Sequence, residues 1–272
     1  MTIAQLIHQF ETWAPPHWQE KWDNCGWQVE PGVLESPAHA LVCLTPTLQV
    51  MAEAIALQQS GTPINLIFAH HPLIFSPLKS VQTGSFIGDM VRLSFVHGIG
   101  IYSAHTNFDQ VDDGTADVLA QLMHLKNVEP VTPTQPGIGY GRVGDFSEPM
   151  TLQQALADIQ ARLTPPDLIY SPGAELRQPI QRLAVLGGSG ASFIGDVLKT
   201  GAQAYLTSDC KFHQFQEARD RGLILIDAGH YATERPACAR LVAKLMALGA
   251  ETAQLSHRDE DFRQFWHADE RA

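Results

Sequence analysis

Asn65-Leu66-Ile67-Phe68-Ala69-His70-His71-Pro72-Leu73 is the stretch that decides the fold. The apolar run is too short for a helix and is bounded by Pro63 and Pro72, so it reads as a buried strand. It stops at two adjacent histidines. In open α/β sheets, ligands bind in the crevice outside the carboxyl ends of the strands, and that is where His70 and His71 stand.

Working outward, the same pattern recurs. Gly98 to Ala104 reads as a second buried strand, ending in His105-Thr106-Asn107-Phe108-Asp109. Leu223 to Asp227 reads as a third, ending in Ala228-Gly229-His230-Tyr231-Ala232-Thr233-Glu234. Helical patterns lie among them: Thr2 to Trp13, Thr47 to Gln58 with Thr47 as N-cap, Gly88 to His97, Asp117 to Leu125 and a last helix from about Pro236 to Leu248. Strands at Ala40 to Leu44 and near Thr252 complete this set. The alternation predicts an α/β fold with a mostly parallel sheet.

The texture changes in the middle of the chain. Pro130 to Pro136 reads as a linker, Gly137 to Phe146 as hairpin-like strands, Leu152 to Leu163 as a helix and Leu183 to Gly187 as a strand. Ile194 to Thr200 follows as a helix and Ala202 to Leu206 as a strand. The expected organisation is two α/β domains: a discontinuous one from residues 1–129 with 223–272, and a second from 130–222.

Three strands ending in histidine with Asp or Glu suit zinc, iron, manganese or a similar divalent ion. One histidine on a surface loop is ordinary; three clusters at three strand ends are not. His70 and His71 cannot easily aim at one ion from a straight strand, because successive side chains alternate. Past the strand end they can diverge toward different ions, which argues for two metals. His230 and Glu234 are four apart and share a face if they start a helix, and a carboxylate there can bridge two ions. Two divalent ions with two carboxylates leave a charge of about +2, suited to a small anionic substrate, and acidify bound water toward hydrolase chemistry. Thr207-Ser208-Asp209-Cys210-Lys211-Phe212-His213 reads as a turn that offers Lys211 and His213 for positioning or proton transfer. Gly187-Gly188-Ser189-Gly190-Ala191 lacks the Lys-Ser/Thr of a P-loop and reads as a tight turn. His8, His17, His39, His97, His124, His257 and His267 read as surface or packing residues.

A net charge of −11 argues against nucleic acid and anionic lipid as partners. No apolar run approaches the ~20 residues of a membrane span. Cys25, Cys43, Cys210 and Cys238 form no C-x-x-C pair and read as reduced thiols of a cytoplasmic protein without a signal peptide.

With these residues in hand, the chain resembles the Nif-three-like dinuclear-metal family, the GTP cyclohydrolase type 2 homologues. The likeness runs nearly end to end. It rests on Trp22-Asp23-Asn24-Cys25-Gly26, His70-His71-Pro72-Leu73, Ser103 to Asp109, Gly141-Arg142-Val143-Gly144, Gly187 to Gly190, Thr207 to Lys211 and Gly229 to Glu234. The resemblance implies two metals held between two α/β domains. It implies His70, His71, Asp109, His230 and Glu234 as ligands, with Glu234 bridging and His105 close by as a weaker or outer one. It also implies a homohexamer, a trimer of dimers. The chain departs from the family at Thr45, where an Asp is usual, and at Ser208 in a turn that usually reads Thr-Gly-Asp. The expected function is a metal-dependent hydrolase of a nucleotide-like or phosphorylated substrate. The alternative is a non-catalytic metal-binding or regulatory scaffold.

Overall fold

The apolar run Leu66–Ala69 is a strand buried along its whole length. Its side chains alternate, and each face has its own cover. Ile67 and Ala69 join a cluster with Leu41, Val50, Met51 and Met90. Phe68 faces the other way, into Phe10 at a ring-centroid distance of 4.8 Å and Tyr102 at 5.2 Å. A strand covered on both faces needs no polar side chain, so its sequence is apolar throughout.

This strand belongs to a computed structural model that describes residues 1–173 and 175–266. In chain order the described strands are β1 Gly26–Val29, β2 His39–Cys43, β3 Leu66–Ala69, β4 Gly100–Ser103, β5 Lys126–Gln135 and β6 Ile138–Thr151. They continue with β7 Ile169–Tyr170, β8 Pro179–Val185, β9 Ala204–Thr207, β10 Ile224–Asp227 and β11 Thr252–Leu255. The α-helices are α1 Ile3–Trp13, α2 Leu48–Gln59, α3 Phe86–His97, α4 Thr106–Gln110 and α5 Thr115–Leu122. After them come α6 Leu152–Leu163, α7 Ile194–Lys199, α8 Phe212–Asp220 and α9 His230–Leu248.

The chain divides into two compact units. The first comprises Met1–Val111 and Cys238–Asp259. Its sheet has the order β1-β4-β3-β2-β11. All neighbours are parallel except β1, which runs antiparallel to β4. Capping residues start its helices: the Thr2 and Gln5 side chains form a reciprocal box, and Thr47 Oγ1 accepts from the Val50 N–H at 3.2 Å.

The second unit comprises Asp112–Ala237 and the chain from Glu260. Its sheet has the order β5-β6-β8-β9-β10-β7. Strands β8, β9 and β10 are parallel, and the outer pairings are antiparallel. Its core gathers Leu183, Val185, Leu206 and Ile226 from the sheet with Leu152, Ile159 and Leu163 from α6. Arg142 lies buried inside this unit, paired at both ends with Asp117: Nε to Oδ1 and Nη2 to Oδ2, each at 2.7 Å.

Some readings of the sequence change. Residues 130–135 are not a linker but part of β5, which pairs with β6 from Lys126↔Asp145 to Gln135↔Ile138, and Pro136 stands in the turn between the two strands. The two compact units divide at 111/112 and 237/238. The reason is that β10 lies in parallel register with β9, from Ile224↔Ala204 to Asp227↔Thr207. Helix α9 begins at His230, with Pro236 inside it. A short helix, α4, follows His105 directly.

Candidate metal centre

In the first unit, backbone hydrogen bonds carry the β3 pairing past its end: His70 N–H donates to the Cys43 carbonyl and His71 N–H to the Leu44 carbonyl. The two side chains then part. His70 turns toward the end of β4, where Nδ1 donates to the Ala104 carbonyl at 2.8 Å. His71 turns toward the end of β2, where Nδ1 lies 2.8 Å from Thr45 Oγ1. A carbonyl only accepts, so the proton of His70 sits on Nδ1 and Nε2 keeps its lone pair. That Nε2 lies 3.6 Å from Asp109 Oδ1.

His105 caps α4, and Asp109 follows four residues on along the same helix. The His105 ring centroid lies 5.1 Å from that of His70 and 5.6 Å from that of His71. A ring nitrogen from each of the three lies within 4.8 Å of the others. Nitrogens at about 2.0–2.1 Å from one ion are at most about 4.2 Å apart, which is comparable to this limit. His105 Nδ1 is held by Asp23, a residue to which the sequence reading gave no role, at 2.8 Å. Burial works against the Asp23 charge. The hydrogen bond and charge of His105, with donors from Thr106 and Asn24, win and hold its carboxyl well below the usual range.

The second unit repeats the device. His230 opens α9, and its Nε2 lies 2.8 Å from Glu234 Oε2, one turn on. Its Nδ1 lies 2.5 Å from Asp209 Oδ2. Burial disfavours the imidazolium, but the two carboxylates outweigh it and push His230 up to about 10. Asp209 is drawn down by its hydrogen bond to His230 against burial, helped by Arg263. Glu234 is only 5% exposed and packs against the Gly187–Gly190 turn. Gly188 has φ +66°, and a Cβ there would lie 2.0 Å from Glu234 Oε1. The turn therefore cradles a carboxylate of the chain itself.

The donor set fits divalent metal in both units: neutral-capable imidazoles with their far nitrogens tied down, and carboxylates on the same helical face. Lys211 N-caps α8 and His213 lies in its first turn; both are exposed. Of the histidines read as ordinary, His39 Nδ1 lies 3.0 Å from Thr252 Oγ1 and His97 closes α3. His267 lies outside the described residues.

The family model described as Duf34/NIF3 (NGG1p interacting factor 3) matches residues 1–259. The chain belongs to this family. Among Duf34/NIF3 relatives, a GTP cyclohydrolase 1 type 2 homolog from Nostoc sp. (strain PCC 7120) is 68% identical over 266 residues, spanning 98% of this chain and 99% of that one. A protein of the same name from Clostridium perfringens is 30% identical over 248 residues, spanning 90% and 91%. The crystal structure of a Bacillus cereus protein related to NIF3 superposes with a TM-score of 0.88 at 23% identity, covering 98% of this chain and 99% of that one. That last likeness carries the fold alone. The resemblance read from the motifs is thus borne out.

Proposed function

We propose that this Duf34/NIF3 protein is a dinuclear-metal hydrolase acting on a nucleotide-like or phosphorylated substrate. The observation that carries the reading is the repeated device: a histidine at a helix start, a carboxylate four residues on, and an outside carboxylate on the histidine's Nδ1. It occurs once as Asp23–His105–Asp109 and once as Asp209–His230–Glu234. His70, His71, Asp109, His230 and Glu234 are the residues that would hold the two divalent ions, with His105 as a further donor. When bound, such ions attract anionic oxygen and acidify water at neutral pH.

The chain's own residues do the rest. Ala104 and Thr45 fix the His70 and His71 rings, and Asp209 fixes His230. Lys211 and His213 supply positioning or proton transfer toward the substrate. The names of the relatives support cyclohydrolase-type ring opening as the first reaction to screen. We read the working form as a cytoplasmic homohexamer.

The test is elemental analysis of the purified protein beside Glu234→Gln, followed by a substrate screen with the metal found. About two ions per chain, lost in the variant, together with turnover, is the expected result. Two ions without turnover across nucleotides and phosphoesters favours the scaffold. No metal after incubation with zinc, iron or manganese removes the proposal.

A further inference from the structure

Asp23 has no place in the ligand set above, yet the structure spends five donors on it. Its Oδ1 accepts from His105 Nδ1–H and from the Asn24 N–H, both at 2.8 Å. Its Oδ2 accepts from the Thr106 N–H at 3.1 Å, Thr106 Oγ1–H at 2.5 Å and Cys25 Sγ–H at 3.2 Å. The carboxylate side chain is fully buried. A carboxylate ringed by donors can only accept, which decides the partner's tautomer: His105 carries its proton on Nδ1. The nitrogen left with a lone pair is Nε2, the one available to the cluster with His70 and His71.

The loop that carries Asp23 is itself pinned. The Cys25 N–H donates to Gln19 Oε1 at 2.6 Å, and Asn24 Nδ2 donates to the Ile74 carbonyl at 2.7 Å. Trp22 abuts the His105 ring edge-on, with centroids 6.0 Å apart at 75°. One short segment therefore fixes both the tautomer and the ring plane of a histidine more than eighty positions away.

We infer that Asp23 is a positioning residue of the metal centre: it aims His105 Nε2 into the cluster and makes His105 a metal donor. The inference rests on the dinuclear reading, and acts through His105 alone. Carboxylates behind metal-binding histidines raise ligand basicity and fix the ring, and their loss costs about 10- to 100-fold in metal affinity.

The experiment is a double-mutant cycle on the full chain, reading zinc affinity by chelator competition. Asp23→Asn should weaken zinc about 10- to 100-fold when His105 is present and leave affinity unchanged in a His105→Ala background. An equal loss in both backgrounds, or none in either, overturns the inference. A second readout needs neither variant. Long-range nitrogen–proton NMR of histidine-labelled, metal-free wild-type protein should show the neutral His105 ring protonated on Nδ1; protonation on Nε2 overturns it. If the wild type takes up no zinc, the dinuclear reading fails, while the tautomer still decides whether Asp23 holds His105.

Discussion

Replacing Gly188 with Ala tests how Glu234 is seated. The new Cβ would lie 2.0 Å from Glu234 Oε1 and 2.9 Å from its Cδ. Ordinary contact begins at 3.4 Å, so the carboxylate must retreat by 3.4 − 2.0 = 1.4 Å. The backbone cannot yield in its place. The Gly188 N–H donates to Thr233 Oγ1, and its carbonyl accepts from the Ser208 and Gly190 N–H groups and from Thr207 Oγ1. Metal–ligand distances tolerate only about 0.2 Å, so a shift of this size removes Glu234 as a ligand. The left-handed φ of +66° adds about 1–2 kcal/mol of strain. The expected outcome is a cooperatively folded protein, with a melting point a few degrees lower, that has lost at least one of its ions. Metal content and circular-dichroism melts of Gly188→Ala are read beside Gly195→Ala, where an added Cβ meets nothing within 4 Å. Full metal content in Gly188→Ala, at wild-type affinity, would falsify this account of the turn.

Two further outcomes follow from other buried groups. Asp117→Asn leaves the Arg142 guanidinium buried without its bidentate partner, and should cost about 3 kcal/mol in urea unfolding; a loss below about 1 kcal/mol would show the pair to be dispensable. Burial, with Asp23 beside it, pushes the Cys25 thiol up to about 12, despite backbone N–H donors that oppose the shift. Cys25 should therefore resist alkylation at pH 8 in the folded protein and react quickly in urea. Because its folded value lies above the ordinary 9.0, this group favours the native state below about pH 9 and withdraws that support as pH rises toward 12. Equal alkylation rates folded and unfolded would refute the burial argument.

The metal-bearing strand ends were legible because buried parallel strands write themselves as short apolar runs, and a polar cluster at the end of such a run stands out. The helices with side-chain caps were legible too: Thr47 and Thr151 stand where α2 and α6 begin. Other features hide for definite reasons. Helix α4 is five residues long, too short to show a period. Pro236 looked like a first-turn residue, yet α9 has already run from His230 when it arrives. The roles of Asp23 and Thr45 come from contacts across 82 and 26 positions, which no local pattern records. Asp209 was visible in a polar turn, but its bond to His230 was not. The same turn offers Lys211 and His213, which stand exposed at the start of α8.

The segment read as a linker has a consequence of its own. Strand β5 forms one edge of the six-stranded sheet and is mostly exposed. An exposed edge invites another chain to add a strand, and proteins blunt that hazard with proline. Pro130 and Pro133 sit within the paired length of β5, opposite Arg142 and Gly139, and neither has an N–H to offer. The opposite edge is β7, only two residues long. Neither border of this sheet can template a continuous ladder, so copies of this chain that collide find no backbone edge along which to zip together.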